Sequence, residues 1–129
     1  MYYPILHSTV KQSRPLLLCI ENNNSHLRLR GAVLENHGYV VLAATNASRA
    51  LQMLRECPVS LVISDHMLDG LTGTEFVREI KTISPYVPIL IYSGTTPQHL
   101  GEADCFMSKS EPVKAFLVMI DDLVKRYWG

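Results

Sequence analysis

Residues 60–73 read SLVISDHMLDGLTG, and this stretch decides the fold. Leu61, Val62 and Ile63 form an uninterrupted apolar run. A strand with one wet face alternates apolar and polar residues, so an unbroken run predicts a strand buried on both faces. The run ends at Asp65, and glycines at 70 and 73 mark a loop. Thr72 or Thr74 then opens a segment with Phe76, Val77, Ile80 and Ile83 on one helical face. The stretch is thus a strand, a carboxylate at its carboxyl end, a loop and a helix.

The same unit recurs on either side. Leu16–Ile20 (LLLCI) predicts a first buried strand, with a helix opened by Asn24 or Ser25 and stopped at Gly38. Leu29, Ala32 and Val33 form its apolar stripe. Residues 39–42 (YVVL) predict a second strand, and Asn46 caps a helix carrying Ala47, Ala50, Leu51 and Leu54. Pro85 and Pro88 end the helix that follows Asp65, and residues 89–92 (ILIY) make a fourth strand. Residues 94–103 have room for one or two helical turns. Residues 105–107 predict a short fifth strand, after which Ser110 caps a final helix with Val113, Phe116, Leu117, Ile120, Val124 and Tyr127 as its stripe.

Five apolar strands alternating with helices predict an α/β domain: a doubly wound, five-stranded parallel sheet covered on both faces, three layers in all. The chain has 129 residues, about one domain, with 47% hydrophobic and 19% charged residues. Residues 1–14 show no period and are expected to form a tail or short arm, leaving residues 15–129 as the domain. Twelve basic and twelve acidic side chains give zero formal net charge. That balance argues against a nucleic-acid binder and against a polybasic membrane patch, and leaves self-association as a homodimer open. The three cysteines, Cys19, Cys57 and Cys105, form no C-x-x-C pair and suit free thiols in a reducing compartment. Cys19 and Cys105 read as small buried hydrophobes, and Met53 and Met119 as gap-fillers. No apolar run approaches the roughly 20 residues of a membrane span, and no leader-like segment opens the chain. A cytoplasmic location is expected.

Ligands of open α/β sheets sit beyond the carboxyl ends of the strands. Glu21 and Asn22 follow the first strand, Asp65 the third, Ser93 and Gly94 the fourth, and Lys109 the fifth. With strand order 2-1-3-4-5, the first, third, fourth and fifth strands are neighbours. Two carboxylates, a hydroxyl and an ammonium then converge on one edge. That set suits phosphoryl transfer to a carboxylate: one carboxylate as nucleophile, a hard cation on oxygen ligands, and hydroxyl and ammonium donors to the phosphoryl oxygens. Alone, each residue has a plainer reading. Asp65 is an ordinary turn residue, Ser93–Gly94 a turn signal, Lys109 a solvated charge and His66 an exposed, inert histidine.

The segments LLLCIEN, ENHGYVV, LVISDHMLDGLTG, VPILIYSG and CFMSKS, in this order, resemble the response-regulator receiver domains, the CheY-like family. The resemblance covers about residues 15–127, and the strand order 2-1-3-4-5 is taken from it. It implies that Asp65 accepts a phosphoryl group from a phosphohistidine on a histidine kinase or phosphotransfer protein. It implies Mg2+ held by Glu21, Asn22, Asp65 and the backbone carbonyl of Met67. Ser93 becomes the switch hydroxyl, Lys109 the lysine that bonds the phosphoryl group, and Phe106 the aromatic switch residue. Gly73 matches the loop glycine before the third helix.

Departures from the family pattern shape the expectation. The family's acidic pair is usually two aspartates, so Glu21–Asn22 leaves the pocket two carboxylates instead of three. Mg2+ affinity is expected to fall by roughly ten- to hundredfold. Ser110 stands where the family has a proline after a cis bond; a non-proline cis bond costs about 2.5–4 kcal/mol, so a trans bond is expected. Asp69 also replaces a usual proline. Only sixteen positions separate Ser93 from Lys109, which predicts a shortened fourth helix.

The function expected is a stand-alone receiver domain of a two-component phosphorelay, signalling to a downstream protein through protein–protein contacts. It is not expected to be an enzyme beyond self-catalysed phosphoryl transfer and autodephosphorylation. The competing reading is a phosphorylation-independent pseudo-receiver acting as an interaction module. A phosphatase fits poorly, because Met67 stands where a second carboxylate is needed and no lid is present. Neither G-x-G-x-x-G nor G-x-x-x-x-G-K-[ST] occurs, which removes the common nucleotide sites.

Overall fold

The computed structural model describes residues 14–68 and 71–129. Five strands form one parallel sheet: β1 (Leu16–Ile20), β2 (Val40–Ala44), β3 (Leu61–Ser64), β6 (Ile89–Ser93) and β7 (Cys105–Ser108), in spatial order β2-β1-β3-β6-β7. Counted as sheet strands this is the order 2-1-3-4-5. Between β3 and the next helix, β4 (Met67–Leu68) and β5 (Leu71–Thr72) pair antiparallel. The helices are α1 (Asn24–Asn36), α2 (Ala47–Glu56), α3 (Gly73–Ile83) and α4 (Val113–Trp128). The arm expected over the first 14 residues falls almost wholly outside the described residues, as does Asp69.

The central strands β1, β3 and β6 are dry on both faces, which explains their unbroken apolar runs, while the edge strand β2 leaves Val40 and Ala43 exposed. Leu18, Ile20, Val62, Ile89 and Ile91 pack against α2 and α3 through Ala50, Leu54, Phe76, Val77 and Ile80. Leu17, Cys19, Leu61, Ile63, Leu90 and Tyr92 pack against α1 and α4 through Leu27, Leu34, Phe116, Ile120 and Leu123. Alternate residues of each strand feed alternate layers, as the two-residue side-chain period requires. Burying one leucine- or isoleucine-sized side chain is worth about 1.5–3 kcal/mol, so these two layers supply the main drive to fold.

The caps show where local chemistry prevails. Asn24 opens α1, as expected, and Asn23 caps it, its side chain accepting from the His26 amide at 2.9 Å. Gly38, with φ 104°, takes the left-handed position just past the end of α1. Asn46 caps α2 by accepting from the Arg49 amide at 2.8 Å.

Three expectations are corrected. The buried stripe of α1 is Leu27, Arg30 and Leu34, while Leu29 is 67% exposed. Two positions along a helix turn it by about 200°, so a stripe drawn through Leu29 puts the wrong face inward. Ser110 does not cap α4; Pro112 holds the N-cap position with no side-chain cap bond, and the Ser110 hydroxyl lies 2.7 Å from that of Ser108. Proline lacks the amide a helix interior needs and presets φ, so α4 begins after it. Finally, residues 94–103 contain no helical turn, and the shortened fourth helix is absent altogether. Pro97 lacks a donor, and Gly101 takes φ 59°, where a Cβ would stand 2.8 Å from the Thr74 methyl. That left-handed turn against the start of α3 replaces the helix.

Candidate functional site

Register brings the site residues to one level. One residue past the strand ends the backbone ladder continues: the Glu21 amide bonds Ala44 O at 3.1 Å, the Asp65 amide bonds Ile20 O at 3.2 Å, and the Lys109 amide bonds Ser93 O at 2.9 Å. The two-residue period then sets direction. Glu21, Asp65 and Lys109 follow Cys19, Ile63 and Met107, all residues of the α1/α4 layer. Ser93 follows Ile89 and Ile91 of the α2/α3 layer, and Phe106, in register with Ile91, packs into that layer too.

Lys109 ties the crevice together. Its Nζ donates to Glu21 Oε1 at 2.5 Å and to Asp65 Oδ2 at 2.9 Å. The other Asp65 oxygen, Oδ1, accepts from the His66 amide at 2.6 Å. Burial pushes the Asp65 carboxyl up, but the hydrogen bonds from Lys109 and Ser93, the Lys109 charge and the His66 amide outweigh it and hold it below its ordinary value. Asp65 is therefore ionised at neutral pH, as a carboxylate nucleophile must be. Its side chain is 17% exposed, so the nucleophile remains reachable from solvent, whereas Glu21 is 2% exposed and fully enclosed. The Ser93 Oγ also accepts from the Thr95 amide at 3.2 Å, which anchors the start of the crossing to β7.

The structure thus brings Glu21, Asp65, Ser93 and Lys109 into one crevice. Asn22 is exposed beside it, Met67 begins β4 two residues after Asp65, and Phe106 lies one layer away from Lys109. Among the described residues, the peptide bond between Lys109 and Ser110, like every other, is trans.

Sequence reasoning missed Arg30. Its side chain reaches from α1 to the crevice, with one guanidinium nitrogen 3.6 Å from Glu21 Oε1 and only 8% exposure. The guanidinium lies 4.8 Å from the centre of the Tyr92 ring, which stacks in turn on Phe116 of α4 at 4.4 Å. The signal was a charged residue three positions after Leu27 and four before Leu34, on the stripe a helix buries. His26 Nδ1 stands 4.0 Å from the same Glu21 oxygen.

Receiver domains typically bind Mg2+ in their acidic pocket. The residues here fit such an ion poorly. Both carboxylates already face cations, Glu21 facing Lys109 and Arg30 and Asp65 facing Lys109. Asn22 contributes no charge, and among the described residues no group of three or more His, Cys, Asp or Glu side chains could hold a metal ion. A hard divalent ion needs oxygen ligands whose charge is not already neutralised.

Comparison with known proteins agrees with this geometry. The family model "Response regulator receiver domain" matches residues 17–105. The transcriptional regulatory protein ZraR of Klebsiella oxytoca is 36% identical over 78 residues, 60% of this chain and 18% of the relative. The transcriptional regulatory protein GlrR of Escherichia coli K12 is 28% identical over 116 residues, 85% of this chain and 26% of the relative. The chain therefore spans about a quarter or less of these curated relatives. Among solved structures, a CheY-like receiver domain protein from Methanospirillum hungatei JF-1 superposes with TM-score 0.83 at 20% identity, covering 89% of this chain and 97% of that one. The signal receiver domain of an HD domain-containing protein from Pseudomonas fluorescens Pf-5 gives TM-score 0.82 at 23% identity, covering 89% and 98%. The sheet order, the crevice at its carboxyl edge and a family match over most of its length place the chain in the response-regulator receiver domain family of two-component signalling.

Proposed function

We propose that Asp65 accepts a phosphoryl group from a phosphohistidine on a histidine kinase or phosphotransfer protein, and that the domain passes the change on through protein–protein contacts. The observation that carries this reading is the Asp65 carboxylate itself: held ionised, open to solvent, and flanked by the Ser93 hydroxyl and Lys109 ammonium. In the step, a carboxylate oxygen attacks phosphorus. An O–P bond forms, the P–N bond breaks, and the electron pair leaves on the imidazole nitrogen, which is then protonated. Lys109 and Ser93 are positioned to donate to the transferred oxygens, which is electrostatic stabilisation of the kind such transfers depend on. Ser93 and Phe106 share a layer, so movement of the hydroxyl toward the new phosphoryl group is coupled to the aromatic ring. The domain is a signalling module in a cytoplasmic setting. Among the described residues no helix is long and apolar enough to cross a membrane.

One observation favours a second reading. Lys109 already bridges Glu21 and Asp65, so the crevice is electrostatically closed before any phosphoryl group arrives. A pseudo-receiver that only binds partners would have such a crevice. Incubation with a small acyl phosphate, followed by intact-mass measurement, separates the two. The acceptor reading predicts a gain of one phosphoryl group that disappears in Asp65→Ala. No gain under saturating donor supports the pseudo-receiver.

A further inference from the structure

We infer that Arg30 supplies, from within the chain, the positive charge that a receiver's pocket ordinarily takes from a divalent cation, so that phosphoryl transfer to Asp65 proceeds without metal. This inference rests on the acceptor reading of Asp65 for its chemistry, but not for its electrostatics.

Three observations carry it. First, the guanidinium is more than nine-tenths buried at the inner wall of the crevice, yet among the described residues it makes no hydrogen bond. Its contacts are the ion pair with Glu21 at 3.6 Å and the face of Tyr92. A buried group with five N–H donors and so few partners is suited to receive an anion. Arginine is also the side chain whose planar fork matches phosphoryl oxygens and whose charge is not lost on burial.

Second, the charges balance as they stand. Glu21 and Asp65 carry two negative charges, and Lys109 and Arg30 carry two positive ones. A pocket of three carboxylates and one lysine needs a divalent cation to reach the same neutrality. This crevice has replaced one carboxylate by exposed, uncharged Asn22 and added one buried guanidinium. Both changes act in the same direction.

Third, Arg30 and Lys109 both line a cleft of about 320 Å³ between α1 and α4, together with Tyr92 and Phe116. Tyr92, stacked on Phe116, holds the guanidinium from one side. The cation is thus fixed by aromatic packing and does not depend on Glu21 alone.

With acetyl phosphate as donor, an Asp65 oxygen attacks phosphorus, the P–O bond to acetate breaks, and acetate leaves with the electron pair. No metal is consumed or required by that balance. The test has two arms. In the first, Mn2+ is titrated into the protein and free ion is followed by paramagnetic resonance. Wild type is expected to show no saturable binding in the low millimolar range. Arg30→Met, similar in length but uncharged, is expected to bind at least about tenfold more tightly, and Arg30→Lys, which keeps the charge, to behave as wild type. In the second arm, wild-type phosphorylation is compared in excess chelator and in millimolar Mg2+, and equal rates are expected. Saturable Mn2+ binding by wild type, unchanged in Arg30→Met, overturns the inference, as does phosphorylation abolished by chelator. Should Asp65 take no phosphoryl group under either condition, the acceptor reading fails while the Mn2+ titration still decides the role of Arg30. Should Arg30→Met unfold, Arg30→Lys and the wild-type chelator comparison decide it.

Discussion

Replacing Lys109 by methionine removes the one ammonium that two carboxylates share while keeping most of the side chain's length. The backbone bond from the Lys109 amide to Ser93 O is untouched, so the end of β7 stays in register. What is lost is a 2.5 Å contact to Glu21, which is 2% exposed, and a 2.9 Å contact to Asp65. Stripping one partner from a buried ion pair costs about 3–5 kcal/mol when the other is left uncompensated. Here the loss is smaller, for two reasons. Lys109 is itself 22% exposed and so partly screened, and Arg30 remains 3.6 Å from Glu21. We therefore expect a loss of about 2–3 kcal/mol, roughly 8–12 °C in Tm for a chain of this size. Urea unfolding at neutral pH measures it directly. The double variant Glu21→Gln with Lys109→Met removes the stranded carboxylate, and at least about 1 kcal/mol of the single-variant loss should return as an interaction energy. A change below about 0.5 kcal/mol, typical of surface substitutions, would refute the claim that Lys109 holds the crevice together.

Asn22→Asp adds a third carboxylate beside the crevice and should raise Mg2+ affinity in a calorimetric titration; unchanged affinity would show that position 22 does not face the pocket. Asp121 of α4 accepts from the Tyr39 hydroxyl at 2.5 Å and from the His37 ring at 2.9 Å, tying α4 to the segment between α1 and β2. Burial pushes its carboxyl up, but these two partners pull it below its ordinary value, so its contribution to stability is present above the usual carboxylate range and disappears as pH falls through the lowered value. Asp121→Asn should therefore flatten the acid limb of a stability-against-pH curve and leave its alkaline limb in place. Of the three thiols, Cys19 is fully enclosed and pushed up to about 12 by burial, and Cys105 to about 11, while Cys57 is partly exposed at the end of α2. A thiol-specific reagent at neutral pH should label Cys57 first and reach Cys19 only on unfolding; early labelling of Cys19 would contradict the packing of β1.

The centre of the sheet was legible because β1, β3 and β6 are dry on both sides. LLLCI, LVIS and ILIY admit no wet face, and the first polar residue after each run marks the carboxyl edge where Glu21, Asp65 and Ser93 gather. The order of the strands was not legible from periodicity; it came with the family resemblance, and the strand pairing bears it out. Helix faces were harder. In α1 the sequence offers Leu29, Ala32 and Val33 as a plausible stripe, and only tertiary packing shows that Leu27, Arg30 and Leu34 go inward. The same error hid Arg30, since a charged residue is ordinarily assigned to the solvent side. The start of α4 was misplaced because Ser110 is a good capping residue by type, yet its hydroxyl is taken by Ser108. The missing helix between β6 and β7 was anticipated as a shortening. Its complete loss depends on the left-handed Gly101 against Thr74, a contact between distant parts of the chain.

The central claim is that Asp65, of all the carboxylates in the chain, takes the phosphoryl group. Treatment with acetyl phosphate followed by borohydride reduces an aspartyl phosphate to homoserine, which peptide sequencing by mass spectrometry locates. The account predicts homoserine at position 65 alone. Homoserine at any other aspartate, the corresponding longer alcohol at a glutamate, or no reduced residue anywhere under saturating donor, would contradict it.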